Sequence, residues 1–110
     1  MGRINTIELV LPNEIGIGKD REVQTLLADR WRKLVIIRLR RGGLLADHSA
    51  RVPITIQGLL GKGLLRLAGE EHVLLPGVLV PVEAHVVHSV QGDPDVAILV
   101  SFFRQADLGD

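Results

Sequence analysis

Two histidines carry most of the recognisable chemistry in this chain. Gly42 is followed by five residues and then His48, and Gly77 by ten residues and then His88. Gly61 closes the first of these blocks, and fifteen residues separate it from Gly77, which opens the second. An imidazole can ligate a transition metal, move a proton near neutral pH, or hydrogen-bond a polar ligand. Nucleophilic alternatives are poorer. No Ser/His/Asp arrangement is legible. The absence of cysteine excludes thiolate chemistry, disulfides and cysteine-based zinc or iron–sulfur sites.

The elements that must position these histidines read as short strands. Gly and Pro interrupt aliphatic runs along the whole chain, and such runs at intervals of roughly 8–12 residues point to a β-sandwich or barrel. The runs are Trp31–Arg40, Ile54–Leu60, Leu64–Leu67, His72–Leu75, Val78–Val82, Val86–Val90 and Val96–Phe103. Val96–Phe103 is nearly all apolar, as expected of a strand buried on both faces or set at a subunit contact. Trp31–Arg40 alternates in part, with Arg32, Arg38 and Arg40 on one parity and Ile37 and Leu39 on the other. In Glu22–Trp31, Val23, Leu26, Leu27 and Arg30 share a helical face, but an edge strand and turn fit equally. Aromatic residues make up only 3% of the chain, so aliphatic side chains must fill the core.

The two glycine–histidine blocks resemble the two motifs of the cupin superfamily, the small jelly-roll β-barrels. The first motif runs G, five residues, H-x-H, three or four residues, E, six residues, G. It falls here on Gly42, His48, Ala50, Ile54 and Gly61, with every gap kept. The second runs G, five residues, P-x-G, two residues, H, three residues, N. It falls on Gly77, Glu83, His85, His88 and Gly92. The match covers roughly residues 31–103. It implies an all-β, single-domain double-stranded β-helix, an RmlC-like jelly-roll barrel. Residues 1–30 are then an N-terminal arm or edge segment, 31–104 the barrel and 105–110 a tail.

The residues lost from the motifs bear on the chemistry. The family's usual metal site takes two histidines and a glutamate from the first motif and one histidine from the second. His48 and His88 survive here, whereas Ala50 and Ile54 occupy the other two ligand positions and cannot bind a cation. Two imidazoles alone would hold one divalent transition metal weakly. Gln57 and His85 are the nearest replacement ligands in sequence, but strand alternation turns both away from the interior. The same alternation points Ala50, Ile54, Ile56, Val86 and Val90 inward together with His48 and His88. The expectation is a mostly aliphatic small-molecule pocket anchored by two histidines. The plainer alternative is a filled core in which both imidazoles are simply hydrogen-bonded. Two activities follow. One is a binding or sensing module for a small organic ligand. The other is a metal-dependent enzyme of dioxygenase or isomerase type with a reduced two-histidine site.

Other residues carry weaker signals. Asp47 and Glu83 neighbour the motif histidines, and either could orient an imidazole. His72 reads as a solvated strand residue, His85 as outward-facing and near a subunit contact, and Trp31 as a core or interface anchor. Arg38, Arg40 and Arg41 read as a solvated basic edge. Gly61-Lys62-Gly63 lacks the rest of a phosphate-binding loop and reads as a hairpin turn. Thirteen acidic and thirteen basic residues leave no net charge to attract nucleic acid or an anionic membrane. No run reaches membrane-spanning length. Met1–Leu11 has no signal-like apolar stretch, so a cytoplasmic location is expected. The resemblance implies a homodimer, with the N-terminal segment or the Trp31–Arg40 strand at the contact.

Overall fold

A computed structural model describes residues 15–104. Within it the chain forms seven strands: β1 (Arg21–Ala28), β2 (Arg32–Leu39), β3 (Leu44–His48), β4 (Ile54–Leu67), β5 (Glu70–Leu74), β6 (Leu79–Val82) and β7 (His88–Phe103). All pairings are antiparallel. No helix of the described residues is long and apolar enough to cross a membrane. The tail expected at 105–110 and the Met1–Leu11 segment lie outside the described residues.

Two long strands organise the barrel. β4 and β7 pair along most of their length, but the register shifts at Gly58/Leu60 and again at Gly61/Gly63. There both strands bend and pass from one face of a sandwich to the other. One face then contains β1, β2, the second half of β7, the first half of β4, and β6. The other contains β3, the first half of β7, the second half of β4, and β5. This is the jelly-roll arrangement expected.

The bend corrects the reading of Gly61-Lys62-Gly63. It is not a hairpin turn but a bulged stretch inside β4, with Gly61 opposite Val96 and Gly63 opposite Gly92. Gly61 has a φ of 71°, a conformation that costs glycine nothing and most other residues about 1 kcal/mol or more. The local sequence signal for a turn and for a bulge is the same, and pairing to β7 decides between them. The expected runs merge accordingly. Ile54–Leu60 and Leu64–Leu67 are one strand, and the last residues of the Val86–Val90 run, from His88 on, continue into Val96–Phe103.

Glu22–Trp31 is not helical. Arg21–Ala28 is an edge strand in register with β2, Val23 opposite Ile37. Segment β3, absent from the expected runs, is short and exposed, so its alternation is weak. The core itself is aliphatic as composition requires, with Ile36, Leu39, Ile56, Leu65, Leu74 and Ile98 among its fully buried side chains. Each such side chain contributes about 1.5–3 kcal/mol by leaving water. Val96, Ala97 and Ile98 are buried on successive parities, so this part of β7 is covered on both faces.

The reading of a solvated basic edge is corrected at Arg40, whereas Arg41 is exposed as expected. Arg40 is only 4% exposed. Its guanidinium donates to the carbonyls of Ile15, Gly16 and Lys19 at 3.2, 3.2 and 2.9 Å and lies 3.0 Å from Glu22. Arg41 reaches Asp20 and the carbonyl of Gly18, and Arg38 reaches Gln24. These arginines fasten the 15–24 segment to the β2–β3 corner. A planar fork of donors fits a bend of free carbonyls, which parity alone does not reveal.

Candidate functional site

Strand directions place both histidines at one end of the barrel. β2 starts there, β3 ends there, β4 starts and finishes there, and β6 ends where β7 begins. Two rows of paired residues frame this mouth. Across one face run Lys33, Phe102, Ile54 and Val82. Across the other run His48, His88 and Leu67. Loops 49–53 and 83–87 bridge the two faces, and the His85 amide donates to the Ala50 carbonyl at 2.7 Å to tie them together.

A bulge brings His48 into position. Leu45 lies opposite Val90 and His48 opposite His88, so three steps along β3 match two along β7. Both residues therefore face the same way despite their odd spacing. The imidazole centroids are 4.2 Å apart with the rings tilted by 59°. Nδ1 of His48 lies 2.9 Å from the Ala46 carbonyl, and Nδ1 of His88 lies 3.0 Å from the Val86 carbonyl. A carbonyl can only accept, so each Nδ1 carries the proton in the neutral ring and each Nε2 is left as an acceptor. Asp47 and Glu83 therefore do not orient these rings. Carbonyls two residues upstream do it instead.

The two imidazoles differ in environment. His48 is exposed at the rim, whereas His88 is 2% exposed. Burial pushes the His88 imidazole below its ordinary range, and the neighbouring His48 pushes the same way, against the opposing effect of the Val86 carbonyl. His88 is thus held neutral, as a lone-pair donor or hydrogen-bond acceptor.

The remaining expected site residues fall at two depths. Ala50 and Val86 are partly buried and pack against the core from the bridging loops, and Ile54 closes the mouth row. Ile56 and Val90 lie a layer lower, within the aliphatic core, where Leu65 and Ile98 also fill the axis. Any ligand at the histidines therefore rests on these side chains rather than among them. Gln57 is on the opposite face of β4 from Ile56. His72 lies on β5, part-exposed and 3.7 Å from Glu70. His85 is exposed.

The donor set does not fit the metal centre that the motif resemblance implies. Ala50 and Ile54 offer no ligand atom, and among the described residues no group of three His, Asp or Glu side chains converges on one point. Two nitrogens leave a divalent cation short of the three or four protein ligands a stable site uses.

One residue of the mouth was missed from sequence. Lys33 precedes Val35, Ile37 and Leu39 on the core-facing parity of β2, and its ammonium lies 5.7 Å from the Phe102 ring centroid. Carrying the alternation two residues back along β2 would have found it. Two surface pockets lie elsewhere. One, about 400 Å³, is at the opposite end beside Gly61, Lys62 and Asp93, and one, about 380 Å³, is outside β3 beside Leu44, Arg66 and Ser89. Their cations are already paired, Lys62 with Asp93 and Arg66 with Glu71.

No protein-family model matches the chain, and no curated protein does. Solved structures do. A conserved protein of unknown function from Streptococcus pyogenes superposes with a TM-score of 0.76 at 18% identity, over 96% of this chain and 97% of that one. An RmlC-like cupin from Shewanella frigidimarina gives 0.74 at 21% identity, over 84% and 83%. A Cupin_2 domain of an XRE-family transcriptional regulator from Enterobacter cloacae gives 0.71 at 19% identity, over 80% and 100%. At such identities the likeness establishes the fold.

Proposed function

We propose that this chain, whose fold is that of the small RmlC-like cupins, is a binding module that holds a small organic ligand at the barrel mouth between His48 and His88. One observation carries the reading. Two adjacent imidazoles have their Nδ1 atoms occupied by backbone carbonyls, which leaves two Nε2 acceptors beside an apolar rim. Preoriented polar groups in an apolar surround are how small-molecule sites achieve orientation and selectivity. A metal-dependent enzyme would need ligands that Ala50 and Ile54 do not provide. The likeness to a domain of a transcriptional regulator accords with a binding role.

The test is a screen of small organic compounds against the protein with labelled imidazoles, read by NMR. Binders are expected to shift both His48 and His88 resonances and to lose at least about tenfold in affinity in His48→Ala, as for loss of one good hydrogen bond. Binding that leaves both rings unmoved would overturn the reading.

We also propose that the chain forms a homodimer through β1. The face containing β1 has five strands and the other has four, so β1 overhangs. Val23 has the parity of buried Ile37, yet is 55% exposed. A second copy would cover it.

A further inference from the structure

We propose that Lys33 is the anion-recognising residue of the mouth, and that the ligand is a small organic carboxylate with an apolar body. The inference rests on the reading that a ligand sits at the histidine pair.

The argument begins with an anomaly of pattern. Core-facing positions of β2 run Lys33, Val35, Ile37 and Leu39, and the last three belong to the core cluster. A lysine in the first of these positions has its stem directed over the barrel end rather than away from it. The residue is part-buried, and its ammonium stands over Phe102, its cross-strand partner. An aromatic face attracts a cation but does not neutralise it.

Nor does anything else among the described residues. Lys33 has no carboxylate within ion-pair distance, whereas Arg32, Arg40, Arg41, Lys62 and Arg66 each have one. The acids nearest the mouth in sequence are otherwise placed. Asp29 is bound to Arg32 and to the Trp31 amide, and Asp47 and Glu83 are exposed. The mouth thus presents the Lys33 ammonium on one face and two Nε2 acceptors on the other, over a floor of Phe102, Ile54, Val82 and Leu67, with the exposed Arg51 on the bridging loop outside them.

These features select a ligand class. The single ammonium suits one carboxylate as a point charge. The aliphatic and aromatic floor suits an apolar body. The two Nε2 atoms accept from a hydroxyl or amide N–H on that body. A neutral hydrocarbon would leave the ammonium and both imidazoles unused.

Matched probes test this on the full chain. Acetate, butyrate and benzoate are titrated against acetamide, butyramide and benzamide, with inorganic phosphate as a further anion. Imidazole resonances of His48 and His88 give the localised readout. In wild-type protein the best carboxylate is expected to bind about tenfold more tightly than its amide, the gain of a charge-assisted contact. Lys33→Met keeps the apolar stem and should reduce the carboxylate to the amide's affinity while leaving the amide unchanged, with a thermal melt confirming the fold. Equal affinity of acid and amide, or a preference that survives Lys33→Met, would overturn the assignment of Lys33 while leaving the histidine site standing. Phosphate binding more tightly than every carboxylate would overturn the ligand class. Failure of every probe to move either imidazole would overturn this inference, and binding detected away from the rings would overturn the histidine site with it.

Discussion

His48 and His88 are cross-strand partners in the β3–β7 pairing with ring centroids 4.2 Å apart, and each Nδ1 is held by the backbone carbonyl two residues upstream. Burial holds the His88 imidazole below its ordinary value of 6.5. Below pH 6.5 the unfolded chain therefore binds a proton at this residue that the folded chain resists. Folding stability should fall as pH drops below 6.5, until the lowered folded-state value is reached, and should be insensitive to His88 above it. Denaturant midpoints measured from pH 8 to pH 5 check this. His88→Gln should lower stability at neutral pH but flatten the slope below 6.5. A slope identical to that of wild type would contradict the assignment.

The same pair should not make a tight metal centre. Protein purified without a nickel column, incubated with iron, manganese, nickel and zinc salts and then dialysed, should retain well under one equivalent of any of them by elemental analysis. With only two nitrogen ligands the remaining positions are held by water, and dissociation competes easily. One retained equivalent that disappears in His48→Ala would show that other groups complete the shell.

The motif spacing was legible because it reports corners and strand lengths. Gly42 opens the β2–β3 corner with a φ of 72°, which glycine alone adopts without strain. Parity correctly grouped Ile54, Ile56, Val90 and His88 on one face, because β4 and β7 alternate regularly through those positions. Alternation does not carry through a bulge, as between Leu45 and His48, and the turn reading failed at Gly61–Gly63, where turn-like residues lie inside a paired strand. Parity could not give depth. Ile56 and Ile54 share a parity, but only the packing of the opposite face shows which of them a ligand could approach. Arg40 and Lys33 were passed over for a common reason. A charged residue is usually solvated, and only the carbonyls around Arg40 and the strand end at Lys33 show otherwise.

His85 should be a site of removable strain. It stands where the second motif has glycine, and its φ is 70°. A side chain in that region costs of order 1–3 kcal/mol, partly offset in any glycine variant by the looser unfolded chain. His85→Gly should therefore raise stability by about 0.5–1 kcal/mol, or roughly 2–8 °C in Tm. His85→Ala keeps the β-carbon and serves as the control, with no gain. A stabilised alanine variant would place the effect in the imidazole instead of the backbone.

Arg40 should be the most sensitive charged residue. Removing its guanidinium leaves three carbonyls and Glu22 without their donor at a buried corner. Arg40→Met fills the volume but supplies no N–H, and should cost roughly 2–4 kcal/mol in denaturant unfolding. Arg40→Lys should recover only part of this, since one ammonium cannot reproduce the fork. Limited proteolysis should cut first within residues 15–24 in the methionine variant. Cleavage elsewhere, with 15–24 protected, would mean that Arg40 does not hold this segment.

The overhang of β1 predicts the state of assembly. A strand that pairs with β2 alone offers a free edge and an uncovered Val23 on the core-facing side. Natural sheets blunt such edges with charge or cover them. Arg21 and Glu22 charge only the start of the strand, and Val23 through Ala28 carry no charge, so covering by a second copy is the expected solution. Light scattering at micromolar concentration should then give a mass near twice 12.0 kDa. Val23→Lys places a charge where the copies meet and should yield a folded monomer, with its thermal transition newly independent of protein concentration. A wild-type monomer would remove this interface, and a dimer that tolerates Val23→Lys would move it to another face.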